Sequence, residues 1–357
     1  MKKTGFPLSA ALAALALLAG CSRRAQAPAA KDAPPPAPLG LPAVEYPADN
    51  PYAAAKAELG MLLYFDPRLS KDGTVSCATC HDPKHAWAED KPTSDGIAGQ
   101  KGPVNSPTVL NTAYLKVLFW DGRAASLEEQ ALGPIENPKE MGHSMENLVA
   151  DLEKIPEYVR RFREVFGTGV TKEGVAKAIA TYERTVLSGN SPYDRHRAGD
   201  QNALTDAQKR GLALFEANCA VCHAPPIFSN SQFFNAGIGM DKPEPDPGRK
   251  AVTGLEGDLG KFRVPALREI AKTGPYFHDG ATKTLAEAVD LMASGGKDNP
   301  NLSAILKGVR EANLTAENRA DLVAFLEALS GTYPVPEPPK LPWARVLRGA
   351  RDARTAE

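Results

Sequence analysis

Apolar residues recur along this chain at helical spacing, and no segment keeps the two-residue alternation of a half-buried strand. Leu59, Leu62 and Leu63 share one helical face. Asn50-Pro51 should open that helix, with asparagine as N-cap and proline at the first helical position, and Phe65-Asp66-Pro67 should close it. Leu148, Leu152 and Ile155 follow the same spacing before Pro156, and Val175, Ile179, Tyr182 and Val186 repeat it. Leu212, Leu214 and Phe215 come after a capping box of Thr205 and Gln208, in which each residue's side chain satisfies the other's free backbone amide. Thr284 and Glu287 make a second box ahead of Leu285, Val289 and Met292. A last helix is predicted from about Thr315 to Leu329, lined by Leu322, Phe325, Leu326 and Leu329 and stopped by Gly331. The pattern predicts a mainly α fold.

Two of these helices lead into the same five residues, Cys77-Ala78-Thr79-Cys80-His81 and Cys219-Ala220-Val221-Cys222-His223. C-x-x-C-H is the attachment pattern of a c-type haem. The thiols add to the porphyrin vinyl groups, and the histidine faces the iron as proximal ligand. A zinc site or a disulfide does not need a histidine directly after each pair. The repeated helix and motif predict two cytochrome c-type haem domains packed across an interface, at 49–200 and 201–335, each holding one covalent haem c.

Length and charge agree with this division. The 357 residues give room for two domains, and a net charge of −1 exerts no bulk pull on nucleic acid. Four of the five cysteines are used by the haem motifs, so no pair remains for a disulfide. The fifth, Cys21, ends a segment read as an export signal, residues 1–21: Lys2 and Lys3 are basic, and Pro7 to Leu18 form an apolar core too short to span a membrane stably. Leu18-Ala19-Gly20-Cys21 resembles a bacterial lipobox, which predicts a periplasmic protein anchored by a lipid on Cys21. Residues 22–48, rich in proline and alanine, are expected to be a semi-extended tether, and residues 336–357 a disordered tail.

The sixth ligand of each iron decides between electron transfer and peroxide chemistry. Of the remaining histidines, His85 lies too close to His81 to reach the far face of that haem. His143, His196 and His278 read better as packing or hydrogen-bonding residues. Among the methionines, Met240 sits in a loop after the second motif. Met292 precedes Ser294-Gly295-Gly296 and is on residues alone as much a core residue as a ligand.

The chain resembles the bacterial dihaem cytochrome c peroxidases, a superfamily that contains MauG. The likeness runs from about Leu59 to Tyr333. Beside the haem motifs it rests on Asn105-Ser106-Pro107-Thr108-Val109-Leu110-Asn111, Phe119-Trp120-Asp121-Gly122-Arg123, Glu136-Asn137-Pro138-Lys139-Glu140-Met141-Gly142 and Pro275-Tyr276-Phe277-His278-Asp279-Gly280. The resemblance implies that Trp120 conducts electrons between the haems. It implies that Gln130 and Glu140 line the distal pocket of a peroxidatic haem on His81, and that Met292 ligates the haem on His223. It further implies a calcium ion held by Asn105, Thr273 and Pro275, hydrogen peroxide as substrate, a small cytochrome c or cupredoxin as donor, and a homodimer. One departure stands out. Many members carry a histidine on the loop after the first haem motif, whereas Ser94-Asp95-Gly96-Ile97-Ala98-Gly99 has none and places Ile97 there. An isoleucine cannot ligate iron, so the first haem is expected to be open in the oxidised protein. A MauG-like oxidant of a partner protein and a pure dihaem electron carrier remain as alternatives.

Overall fold

The computed structural model describes Met1 and residues 32–343. The export-signal and lipobox readings, including Cys21, fall outside the described residues. The first half holds α1 (Ala54–Tyr64), α2 (Cys77–Cys80), α3 (Leu127–Glu136), α4 (Met145–Glu153), α5 (Pro156–Phe166) and α6 (Lys172–Glu183). The second half holds α7 (Pro192–Arg197), α8 (Asp206–Asn218), α9 (Lys250–Thr253), α10 (Leu285–Ala293), α11 (Ile305–Glu311) and α12 (Ala316–Glu327). Strands β1 (Phe233–Phe234) and β2 (Phe262–Arg263) pair antiparallel. Among the described residues the fold is mainly α, as the periodicity predicts. The capping boxes of Thr205 with Gln208 and Thr284 with Glu287 both form.

Each half has its own core. Leu59, Leu63, Leu148, Val175 and Ile179 gather in the first, and Leu212, Phe215, Leu322, Phe325 and Leu329 in the second. Tyr193 of α7 already packs into the second core. In both halves the helix before the haem motif crosses the last helix of its domain at a glycine. A Cβ on Gly60 of α1 would collide with the Ala178 carbonyl of α6, and one on Gly211 of α8 with the Asp321 carbonyl of α12. Only a glycine lets the backbones come so close. Gly211→Val should therefore destabilise the second domain by roughly 1–3 kcal/mol or more, as overpacking of a tight site does. Thermal unfolding of the purified variant checks this, with Gly308→Ala, which meets open space, as the control. An unchanged midpoint for Gly211→Val would mean the crossing is looser than described.

Three expectations are corrected. The first helix begins at Ala54, and its N-cap, Ala53, makes no side-chain cap. Asn50 is instead fully buried, because its amide is satisfied by tertiary partners: Nδ2 donates to Glu128 Oε1 at 2.6 Å, and Oδ1 accepts from Lys56 Nζ at 2.8 Å. The described end of the proline-rich tether is docked. Leu39 O accepts from the Asn190 amide at 2.8 Å, Gly40 O from Arg268 Nη2 at 3.2 Å, and Pro42 O from the Tyr114 hydroxyl at 2.8 Å. The chain is also tied down where it enters the expected tail, of which residues 336–343 are described. Tyr333 packs on the first core, Pro334 O accepts from Trp87 Nε1 at 2.8 Å, and Pro342 O accepts from Arg68 Nη1 at 2.9 Å. Both segments are held largely by their backbone carbonyls, which composition does not reveal.

The likeness of the halves goes beyond the helix and motif. A left-handed Asn111 (φ 63°) precedes one short 3-10 turn, and a left-handed Glu269 (φ 61°) precedes the other. Leu118 bridges Ala124 around left-handed Phe119, and Tyr276 bridges Thr282 around left-handed Phe277. Ser126 then caps α3 as Thr284 caps α10. In this register Trp120 stands where His278 stands, Asn105 where Arg263 stands, and Pro134, inside α3, where Met292 stands on α10.

Candidate haem sites

Around the first motif, Ser76 and Thr79 form a capping box that fixes the turn of α2 carrying Cys77 and Cys80. His81 is half-buried with its Nδ1 inaccessible to solvent, and burial pushes its imidazole down to about 4. The carbonyls of Pro107 and Trp87 face it and oppose that shift, although Nδ1 reaches no hydrogen bond of good geometry. Tyr64 donates to the His81 carbonyl at 3.2 Å, and its ring packs edge to face on Tyr182 and tilted against Trp87. Around the second motif, His223 Nδ1 lies 2.9 Å from Phe228 O, with Pro265 O also facing the ring, and burial lowers its pKa. Phe215, Phe228, Phe325 and Tyr193 take the place of the first aromatic cluster.

Both histidines are thus neutral imidazoles, and in His223 the carbonyl of Phe228 occupies Nδ1, which leaves Nε2 to a metal. All four thiols are free rather than paired as disulfides. Burial raises each of them, Cys80 to about 11 with Glu89 and Glu140 adding to the shift, and Cys219 to about 11. Free thiols, neutral histidines and aromatic walls fit two c-type haems.

The structure brings several predicted residues to the first motif. Glu140 is near enough to Cys80 to raise its pKa, and Ser94, close to the same thiol, acts in the opposite direction. Burial pushes the Glu140 carboxyl up, while the bond from Asn137 Nδ2 to Oε1, 2.7 Å, and the charge of Arg123 pull against it. The loop that lacks a histidine is tied to this turn. The Ile97 amide donates to Glu140 O at 2.8 Å, and its side chain covers Gly142, where no Cβ could fit. Gln130 lies on α3, half-buried, one turn before Pro134.

Trp120 is held from both domains. Its Nε1 donates to Asn105 O at 2.9 Å, and its carbonyl accepts from the Arg263 amide at 2.8 Å. The Asn105 amide in turn donates to His278 O at 2.8 Å. His278 is buried and stacked on Phe262, centroids 3.6 Å apart, which makes it a packing residue. Met292 is half-buried on the last turn of α10, whose Leu285 and Val289 share the second core with Cys219 and Ala220. Met240 packs its sulfur over Gly260. Asn105 Nδ2 donates to Lys91 O at 2.9 Å, and no backbone amide among the described residues donates to Thr273 O or Pro275 O.

Residue-by-residue reading passed over Glu89, Glu183 and Arg263, all buried. Glu89 and Glu183 each keep an unpartnered oxygen, and burial pushes the Glu183 carboxyl up to about 8. Their signal lay in charged residues set inside apolar runs, such as Lys261-Phe262-Arg263-Val264-Pro265.

Two buried units of one design, bridged by a tryptophan that both domains grip, define a dihaem c-type redox protein. Residues 54–202 match the family described as di-haem cytochrome c peroxidase, and residues 208–330 match cytochrome c. The chain is 41% identical to the cytochrome c peroxidase Ccp of Escherichia coli (strain K12) over 79% of its own length, though that match spans only 60% of the longer relative. It is 41% identical to the cytochrome c551 peroxidase of Nitrosomonas europaea, covering 82% of this chain and 85% of that one. A solved MauG-like protein associated with microbial copper homeostasis is 33% identical with a TM-score of 0.75, covering 82% of this chain and 94% of that chain. The chain belongs to the di-haem cytochrome c peroxidase family, the family that includes MauG.

Proposed function

We propose that the chain reduces hydrogen peroxide to water at the haem on His81, with electrons from a small cytochrome c or cupredoxin collected at the haem on His223. The observation that carries this reading is the inequality of the two halves. At the place where α10 offers Met292, a thioether ligand, α3 offers Pro134, which has nothing to coordinate with. Ile97 stands on the adjoining loop, so neither element supplies a sixth ligand to the first site.

When bound, the haems supply the iron centres that take up peroxide and electrons. The protein's part is to move protons, position groups and carry charge. Glu140, raised by burial and steadied by Asn137, is suited to take a proton from one peroxide oxygen and return it to the other. Gln130 orients the substrate beside it. Trp120, bonded to both domains, is the route between the sites. Met292 raises the potential of the second haem, as thioether ligation does. Asn105 Oδ1 and the carbonyls of Thr273 and Pro275 suit a calcium ion, which takes such oxygen ligands. An exported, lipid-anchored form attached through Cys21 and a homodimer complete the proposal.

Stopped-flow mixing of the oxidised protein with peroxide and reduced donor tests the activity, and absence of donor oxidation after any prior reduction would overturn it. The open site has its own test. The resting ferric protein should show one high-spin and one low-spin haem by EPR, and two low-spin signals would refute the open first haem. New oxidative modification of a partner protein, with no turnover of a small donor, would favour the MauG-like reading instead.

A further inference from the structure

Arg263, at the end of β2, is only 4% exposed. Its Nε donates to Phe119 O and its Nη1 to Val264 O, both at 3.2 Å. Among the described residues Nη2 has no acceptor, and no carboxylate lies against the group. The two other buried arginines are matched. Arg268 reaches both oxygens of Asp194 at 2.8 Å, and Arg184 reaches those of Glu128 at 2.6 and 2.9 Å. Burial lowers the Arg263 guanidinium to about 10, and nothing acts against it.

A buried cation without an anion is costly by several kcal/mol, and guanidinium is the side chain best shaped to take a carboxylate on two donors. The missing anion need not come from the protein. Each haem c brings two propionates. The Arg263 amide is bonded to Trp120, and two residues further on the Pro265 carbonyl faces the His223 ring. The corresponding place in the first half is held by Asn105, which carries no charge.

We propose that Arg263 binds a propionate of the haem on His223, at the foot of Trp120. The inference rests on the two haems and not on peroxide turnover. A fixed cation beside that haem favours its reduced state, in the same direction as Met292, and the neutral Asn105 gives the first haem no such help. One residue then adds to the difference in potential between the sites.

The test is an optically monitored redox titration of the holoprotein, which needs no peroxide and survives failure of the peroxidase reading. In R263Q the ferric-to-ferrous ratio of the second haem at fixed potential should rise about tenfold, a fall of 59 mV for one electron. R263K should restore most of it, and the first haem should not move. A shift confined to the haem on His81 would assign the propionate to that haem and overturn the proposal as stated. Two unshifted potentials in a folded, fully loaded R263Q would reduce Arg263 to a tie between Phe119 and Val264. If R263Q does not assemble, R263K still decides. Its resonance Raman propionate band should move because the planar fork is lost, and an unmoved band would overturn the proposal.

Discussion

Glu140→Gln should cut peroxide turnover on the order of 10²–10⁴-fold while both haems stay attached with unchanged spectra. The amide keeps the shape of the side chain and its partnership with Asn137, but it cannot take a proton at neutral pH. The effect should fall on the rate of O–O cleavage in single-turnover mixing and leave donor oxidation at the second haem intact. The pH profile adds a second signature. Because burial raises the Glu140 carboxyl, the ionised form is lost earlier on acidification than for an exposed glutamate, so the acid limb of the wild-type profile should sit above the ordinary carboxylate range. That limb should vanish in the variant. Unchanged turnover would remove Glu140 from the chemistry and leave it as a residue of the loop turn.

Arg268→Met should cost about 3–5 kcal/mol, because it strands Asp194 as an uncompensated charge with a side chain only 1% exposed. Asp194 also accepts from the Ser191 amide and hydroxyl, so it is fixed in place and cannot turn to water. Burial pushes its carboxyl up, but the Arg268 bonds and charge more than offset this and leave it below its usual range. The stability this pair contributes is therefore present above about pH 4, the ordinary aspartate value, and is lost as pH falls through the lower folded value. Denaturant unfolding of the holoprotein measures the cost. An Arg268→Met, Asp194→Leu double variant should recover part of it, since replacing both charges removes the stranded one. A single variant as stable as the parent would mean that Asp194 is solvated.

Much of this was legible from the residues alone. Two five-residue motifs, helical spacing and two capping boxes sufficed for the fold class, because each depends on neighbours within one helical turn. The rest is set by tertiary contact. Asn50 looks like a cap, yet it is a buried junction whose partners Glu128 and Thr181 lie far along the chain. Arg268 and Asp194 meet across 74 positions, and no local pattern announces them. The proposal of an open first site needed the second half as a ruler: Pro134 acquires meaning only when laid over Met292. Arg263 is the hardest case, since what marks it is a partner the polypeptide does not contain.

The docked C-terminal segment bears on how the molecule comes into being. Trp87, fully buried behind the first haem motif, has its indole N–H satisfied by Pro334, and Arg68 waits for Pro342. The chain is made from its N-terminus, so the earliest domain to emerge lacks these acceptors until nearly all of the protein has been synthesised. The first domain is begun first and finished last, and shortening the chain before Pro334 would be felt some 250 residues upstream, at His81's own wall.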